Sequence, residues 1–188
     1  MKSFAAYKLG GKMNPSTSHS IKNRNVAKDV FYTPEAVAKT HIEQVAKQSN
    51  KEYCWLDPFA GKKIYYNNFP TAGGDKSKQN DWTEIADGKD FFAYDQKVDV
   101  ICSNPPYSII DKVIEKSIEL EPQIISYLLL EGKLTPKRME RLNLAGYGLT
   151  GIYICKVFKW YGMATAYTFT KDKPNQAEVI YDRIVHRI

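Results

Sequence analysis

The chain has 188 residues, 43% of them hydrophobic and 13% aromatic, enough for one full apolar core and too apolar for a disordered polymer. No run of 18 apolar residues is present, which excludes a membrane-spanning helix, and the Lys-, Ser- and Asn-rich start has no apolar stretch of the secretory kind. The net charge of +6 is unevenly divided: residues 1–29 carry six bases and one acid, 30–121 eleven bases and fifteen acids, and 122–188 ten bases and five acids. Two basic ends around an acidic middle suit a polyanionic partner.

Residues 1–28 show no periodicity and predict a flexible basic arm, with residue 29 as its end. The segment FYTPEAVAKTHIEQVAKQ predicts a helix, with Thr33 as its N-cap, Pro34 as its first residue and Val37, Ile42 and Val45 on its apolar face. YCWLDPFAG predicts a short buried strand ending at Asp57-Pro58. NNFPTAGGDKSKQND is turn-rich, WTEIA predicts a second strand and GKDFFAYDQK a loop. VDVICS predicts a third strand, stopped by Pro105 and Pro106, which cannot donate backbone hydrogen bonds.

The spacing of Ile110, Val113, Ile114 and Ile118 predicts a helix. QIISYLLL predicts a central strand covered on both faces. TPKRMERLNLAG predicts a helix capped at Thr135, begun by Pro136 and ended by Gly146. LTGIYICKV, ATAYTFTK and AEVIYDRIV predict three closing strands. Strands alternate with helices to about residue 146 and stand alone afterwards, which predicts an α/β fold with a mostly parallel twisted sheet, antiparallel closing strands and one domain over 30–188. Cys54, Cys102 and Cys155 are widely separated and form no CxxC or Cys/His cluster, so no metal site or disulfide framework is expected, and an intracellular, cytoplasmic setting is.

In such a sheet the ligand lies at the carboxyl ends of the strands. Asp57, Glu84 and Asn104 lie near three such ends and are expected to converge. Asp57, before a small-residue turn, suits a ligand amine. Glu84, with Asp81 as rival, suits ribose hydroxyls, and Asp90 beside Phe91 and Phe92 suits an adenine. In NPPY an amino group on an aromatic ring meets acceptors: its lone pair is shared with the ring, so hydrogen bonds to the Asn104 side-chain oxygen and the Pro105 carbonyl would stabilise charge developing on nitrogen. The prolines would hold these acceptors rigidly. Tyr107 offers a face for an unstacked base. In KVFKWYG, Lys156, Lys159, Trp160 and Tyr161 interleave basic and aromatic residues as nucleic-acid contacts do.

FYTP, DPFAG and SNPPYS, in this order, resemble the class I S-adenosylmethionine-dependent amino-methyltransferases, and WTEI…GKDFF…VDVICSNPPYS is similar to the phage and bacterial DNA adenine-N6 branch. The similarity covers about residues 30–150. It implies a Rossmann-like fold, S-adenosylmethionine as cofactor and methyl transfer to the adenine amino group in DNA. It implies cofactor contacts from Asp57, Pro58, Ala60, Gly61, Glu84, Asp90 and Phe91, with Phe31, Tyr32, Thr33 and Pro34 closing from the other side. Asn104, Pro105, Pro106 and Tyr107 would take the target base, with Ser108 beside it.

Two departures stand out. After Gly61 the chain runs KKIYY where many members have another glycine, so Lys62 and Lys63 either narrow the methionine pocket or reach phosphate. No stretch is long enough for a separate target-recognition domain, which implies recognition by short loops, by the basic arm or by a protein partner. An RNA base or a protein glutamine amide presents the same planar nitrogen, and an inactive nucleic-acid-binding subunit is a third possibility.

Overall fold

The computed structural model describes residues 32–71, 79–157, 160 and 162–187. The expected arm, residues 1–29, lies outside the described residues, as do Phe31, Lys159 and Tyr161. Helix α1 spans Glu35–Ala46, β1 Trp55–Asp57, α2 Ile64–Asn68, β2 Asp81–Trp82, β3 Val100–Ser103 and α3 Ile110–Glu119. Strand β4 spans Ile124–Leu130, α4 Pro136–Leu144, β5 Tyr147–Val157, β6 Ala164–Lys171 and β7 Glu178–His186.

The strands form a seven-stranded sheet in the order β2-β1-β3-β4-β6-β5-β7. β1 pairs in parallel with β2 and β3, and β3 with β4. β6 is antiparallel to both β4 and β5. The closing strands are therefore not all antiparallel, because β7 runs parallel to β5 at the sheet edge.

β4 is buried along its whole length, which explains its unbroken apolar sequence. Alternate strand residues face two cores. Ile101 and Ile125 meet Ile110, Val113 and Ile114 of α3 and Leu142 of α4, while Trp55, Val100, Cys102 and Ile124 meet Ala38, Ile42 and Val45 of α1 and Tyr65 of α2. The sheet thus carries helices on both faces. Among the described residues no helix is long and apolar enough to cross a membrane.

Two details of the helices differ from expectation. α1 begins at Glu35 with Pro34 in the cap position, extended at ψ 141°, and no side chain caps it. Thr33 is thus not a cap. α2 is not expected from the sequence: only its last two residues, Asn67 and Asn68, fall in the turn-rich segment, and Ile, Tyr and Asn have no strong helix preference. Lys63, before its start, is left-handed at φ 59°. Helix α4 does start with Thr135 and Pro136, and Gly146, at φ 88°, ends it in the left-handed conformation that a side chain disfavours.

Candidate functional site

The carboxyl ends of β1, β2 and β3 meet at the place where the sheet order reverses: from β1 the chain goes to β2 on one side and then to β3 on the other. A cavity of about 540 Å³ opens there. One wall is the turn after β1, with Pro58, Ala60 and Gly61, and a second is the turn after β2, with Glu84, Asp90 and Phe91. Asn104, Pro105, Pro106 and Tyr107 close it from the end of β3, and Tyr32 and Thr33 approach from the start of α1. Four segments distant in sequence thus meet at this cavity, Glu84 and Asn104 among its lining and Asp57 not. Pro34 and Ser108 are not among the lining residues.

Asn104 is held at both ends of its amide. Its Nδ2 donates to Thr33 Oγ1 at 3.1 Å, and its Oδ1 accepts from the Tyr107 hydroxyl at 2.9 Å. The polar side chain that reads as a helix cap therefore orients the loop amide instead. Tyr107 is 4% exposed, so it lines the cavity with a small part of its surface and spends the rest in the core.

Asp57 is fully buried behind this wall and does not itself line the cavity. Its Oδ1 accepts from Ser103 Oγ at 2.6 Å, and its Oδ2 has no hydrogen-bond partner among the described residues. Burial raises its pKa to about 7, against the pull of the Ser103 hydroxyl. Ser103, the residue before Asn104, thus joins the end of β3 to the end of β1, a role its place in the motif does not announce.

Glu84 bridges two walls. Its Oε2 accepts from the Gly61 N–H at 2.8 Å, and its Oε1 from Ala86 N at 3.5 Å. Gly61 adopts φ 48°, a left-handed conformation that a side chain disfavours, so this turn suits a glycine. Asp81, the rival acid, is instead on β2 and pairs with Lys89 at 3.4 Å, outside the lining. Asp90 caps its own turn by accepting from Phe92 N at 2.9 Å. Phe91 is buried against Phe59, with ring centres 5.4 Å apart, whereas Phe92 is 40% exposed and lines the cavity with exposed Ile85. The more available ring of the Phe-Phe pair is thus the second one.

Of the KVFKWYG residues singled out as nucleic-acid contacts, Lys156 and Trp160 are among the described residues. Trp160 is 4% exposed. Lys156 Nζ donates to the backbone oxygens of Trp160, at 3.2 Å, and of Gly162. Lys156 thus staples this turn through its backbone.

Sequence reasoning singled out neither His41 nor Tyr65. His41 is fully buried; its Nδ1 lies 3.0 Å from the Tyr65 hydroxyl and its Nε2 2.7 Å from Ser126 Oγ. Burial lowers its pKa to about 3, so it is neutral at ordinary pH. Tyr65 lines the cavity, so this network ties the cavity floor to α1 and β4. The only signal was a lone histidine on the apolar face of a predicted helix. Among the described residues no group of acids, histidines and cysteines is arranged to hold a metal ion.

No family model and no curated protein matches the chain. Solved structures do. A candidate RNA methyltransferase from Pyrococcus horikoshii superposes with a TM-score of 0.59 at 14% identity, over 80% of this chain and 90% of that one. A candidate class I S-adenosylmethionine-dependent methyltransferase from Listeria monocytogenes gives 0.59 at 15%, over 85% and 68%. The Mtq2–Trm112 complex of E. cuniculi, responsible for methylation of the termination factor eRF1, gives 0.52 at 15%, over 76% and 99%. The fold is that of the Rossmann-like class I methyltransferases.

Proposed function

We propose that the protein transfers a methyl group from S-adenosylmethionine to the exocyclic amino group of adenine in DNA. The observation that carries this is the Asn104 amide, fixed by Thr33 and Tyr107 at the wall of a cavity bounded by three strand ends. A preset acceptor of this kind suits a planar nitrogen that becomes positive as it is alkylated.

The residues present fit the cofactor. Asp57 Oδ2 is a buried acceptor without a hydrogen-bond partner just behind the Pro58–Gly61 wall, so a ligand ammonium held at that wall would favour its charged form. Ala60 and Gly61 give a wall without bulk, Glu84 suits ribose hydroxyls, and Asp90 a purine amino group. Ile85 and Phe92 are apolar yet exposed beside the cavity, which suits the two faces of a purine. When bound, S-adenosylmethionine supplies an electrophilic methyl group.

Asn104 Oδ1 and the Pro105 carbonyl accept hydrogen bonds from the amino group and so hold its lone pair toward the methyl group. These bonds strengthen as nitrogen gains positive charge, which stabilises the transition state more than the ground state. The fold alone does not select a polymer. The basic ends of the sequence favour nucleic acid over protein.

The test is incubation with methyl-labelled cofactor and, separately, adenine-containing DNA, RNA and a glutamine-containing peptide. N6-methyladenine from DNA is the expected product by nucleoside mass spectrometry. Methylcytosine, or label in RNA or peptide alone, would refute the assignment.

A further inference from the structure

Two lysines, Lys62 and Lys89, line the cavity, and Lys63 lies next to it in the chain. Lys63 stands 3.6 Å from the centre of the Trp82 ring and pairs with Asp87 at 3.5 Å. Lys89 covers the same ring at 4.2 Å and pairs with Asp81 at 3.4 Å. Both positive charges are thus matched by carboxylates. Lys62 lines the cavity, is exposed, and lies 4.4 Å from the centre of the Tyr32 ring. Among the described residues it forms no ion pair.

The carboxylates of the lining, Glu84, Asp87 and Asp90, all come from the turns after β2. Lys62 and Tyr32 therefore form a cationic, aromatic corner, facing a wall in which Glu84 and Asp90 form no ion pair among the described residues while Asp87 is paired with Lys63 and Lys89 with Asp81. Tyr32 is 43% exposed and precedes Thr33, whose hydroxyl holds Asn104. The corner is joined through two consecutive residues to the amide that receives the target amine.

We infer that Lys62 and Tyr32 form a nucleic-acid subsite, in which the Lys62 ammonium binds a backbone phosphate next to the target nucleotide and the Tyr32 ring supports a neighbouring base or sugar. This rests on the proposed methylation of nucleic acid. It explains why the first strand turn continues Gly61-Lys62-Lys63: Lys63 locks the turn onto Trp82, and Lys62 is left for the substrate. The strand backbone then runs along the Tyr32 side, away from the wall that holds Glu84 and Asp90. One such contact on a single strand contributes about 0.7 to the slope of log affinity against log salt concentration.

The test uses the full chain, a fluorescent single-stranded oligodeoxynucleotide containing adenine, and anisotropy titrations from 0.05 to 0.3 M salt (a range chosen from the same dependence,). Lys62→Gln is expected to lower the slope by about 0.7 and the affinity at 0.1 M salt by about fivefold. Lys62→Arg should retain both, and calorimetry should show unchanged S-adenosylmethionine affinity. An unchanged slope in Lys62→Gln would overturn the inference. So would weaker cofactor binding with unchanged oligonucleotide binding, because the lysine would then face the cofactor carboxylate. Binding is read without turnover, so this outcome is separate from that of the methylation assay: DNA methylation with an unaltered slope would reject the subsite alone.

Discussion

Thr33 and Asn104 are 71 residues apart, and the Asn104 amide nitrogen donates to the Thr33 hydroxyl at 3.1 Å. In this arrangement the Asn104 amide spans two hydroxyls, with Nδ2 donating to Thr33 and Oδ1 accepting from Tyr107. The two hydroxyls hold the plane of the amide at the cavity wall.

Thr33→Val keeps the shape and removes the acceptor. A net hydrogen-bond contribution of about 0.5–1.5 kcal/mol corresponds to roughly two- to tenfold. We expect kcat for methyl transfer to fall by that factor, with KM and cofactor affinity little changed and activity retained in Thr33→Ser. A loss confined to cofactor affinity would show that the hydroxyl serves the cofactor instead.

Asn104→Ala removes the acceptor itself. Loss of one preorganised polar group commonly costs about a hundred- to a thousandfold in kcat. Cofactor binding by calorimetry should survive, since Asp57 and the turns after β1 and β2 are untouched. Tyr107→Phe removes only the hydroxyl that meets Oδ1 and should be milder. Equal turnover in wild type and Asn104→Ala would discard the assignment of this loop.

The positions of Asp57 and Asn104 were legible because each ends an apolar run, with Pro58 and Pro105 marking the ends. Glu84 instead lies inside WTEIA, a segment that reads as a strand but of which only Trp82 belongs to β2. Side-chain direction was not legible. Lys-x-x-Lys-Trp-Tyr has the same composition whether it grips a ligand or, as with Lys156, its own backbone. Thr before Pro reads as a cap by local rules, and only the long-range approach of β3 gives its hydroxyl another partner. The order of the outer strands escaped for a similar reason: a parallel β7 beside β5 depends on a crossing that period-two patterning does not encode.

Asp57 gives a pH signature. Its native pKa of about 7 lies above the usual aspartate value near 3.9, so the native chain holds the proton more tightly than the unfolded one. Its stabilising effect is complete below about pH 4 and is lost as pH rises to about 7. Asp57→Asn should remove that decline. A cofactor ammonium at the Pro58–Gly61 wall would favour the carboxylate, so binding below pH 7 should release a proton. Calorimetry in buffers of different ionisation enthalpy measures it; binding without proton release at pH 6 would contradict that placement.

His41 gives the opposite sign. Its native pKa of about 3 lies below the usual histidine value near 6.5, so its contribution is complete above about pH 6.5 and is lost as pH falls toward 3. Between about pH 4 and 6.5 it therefore offsets Asp57, and the wild-type stability curve should be flatter there than that of either variant. His41→Phe leaves the buried Tyr65 hydroxyl without its ring-nitrogen partner, while Ser126 keeps Thr168 Oγ1 at 2.8 Å. One orphaned buried group costs about 1–3 kcal/mol, so His41→Phe should be less stable by that amount at pH 7. The difference should shrink at pH 4.5, where wild type has lost much of the histidine's own contribution. Urea unfolding at the two pH values measures both. A penalty that grows on acidification would mean that His41 is protonated in the native core, contrary to the geometry that places it between two hydroxyls with no carboxylate beside it.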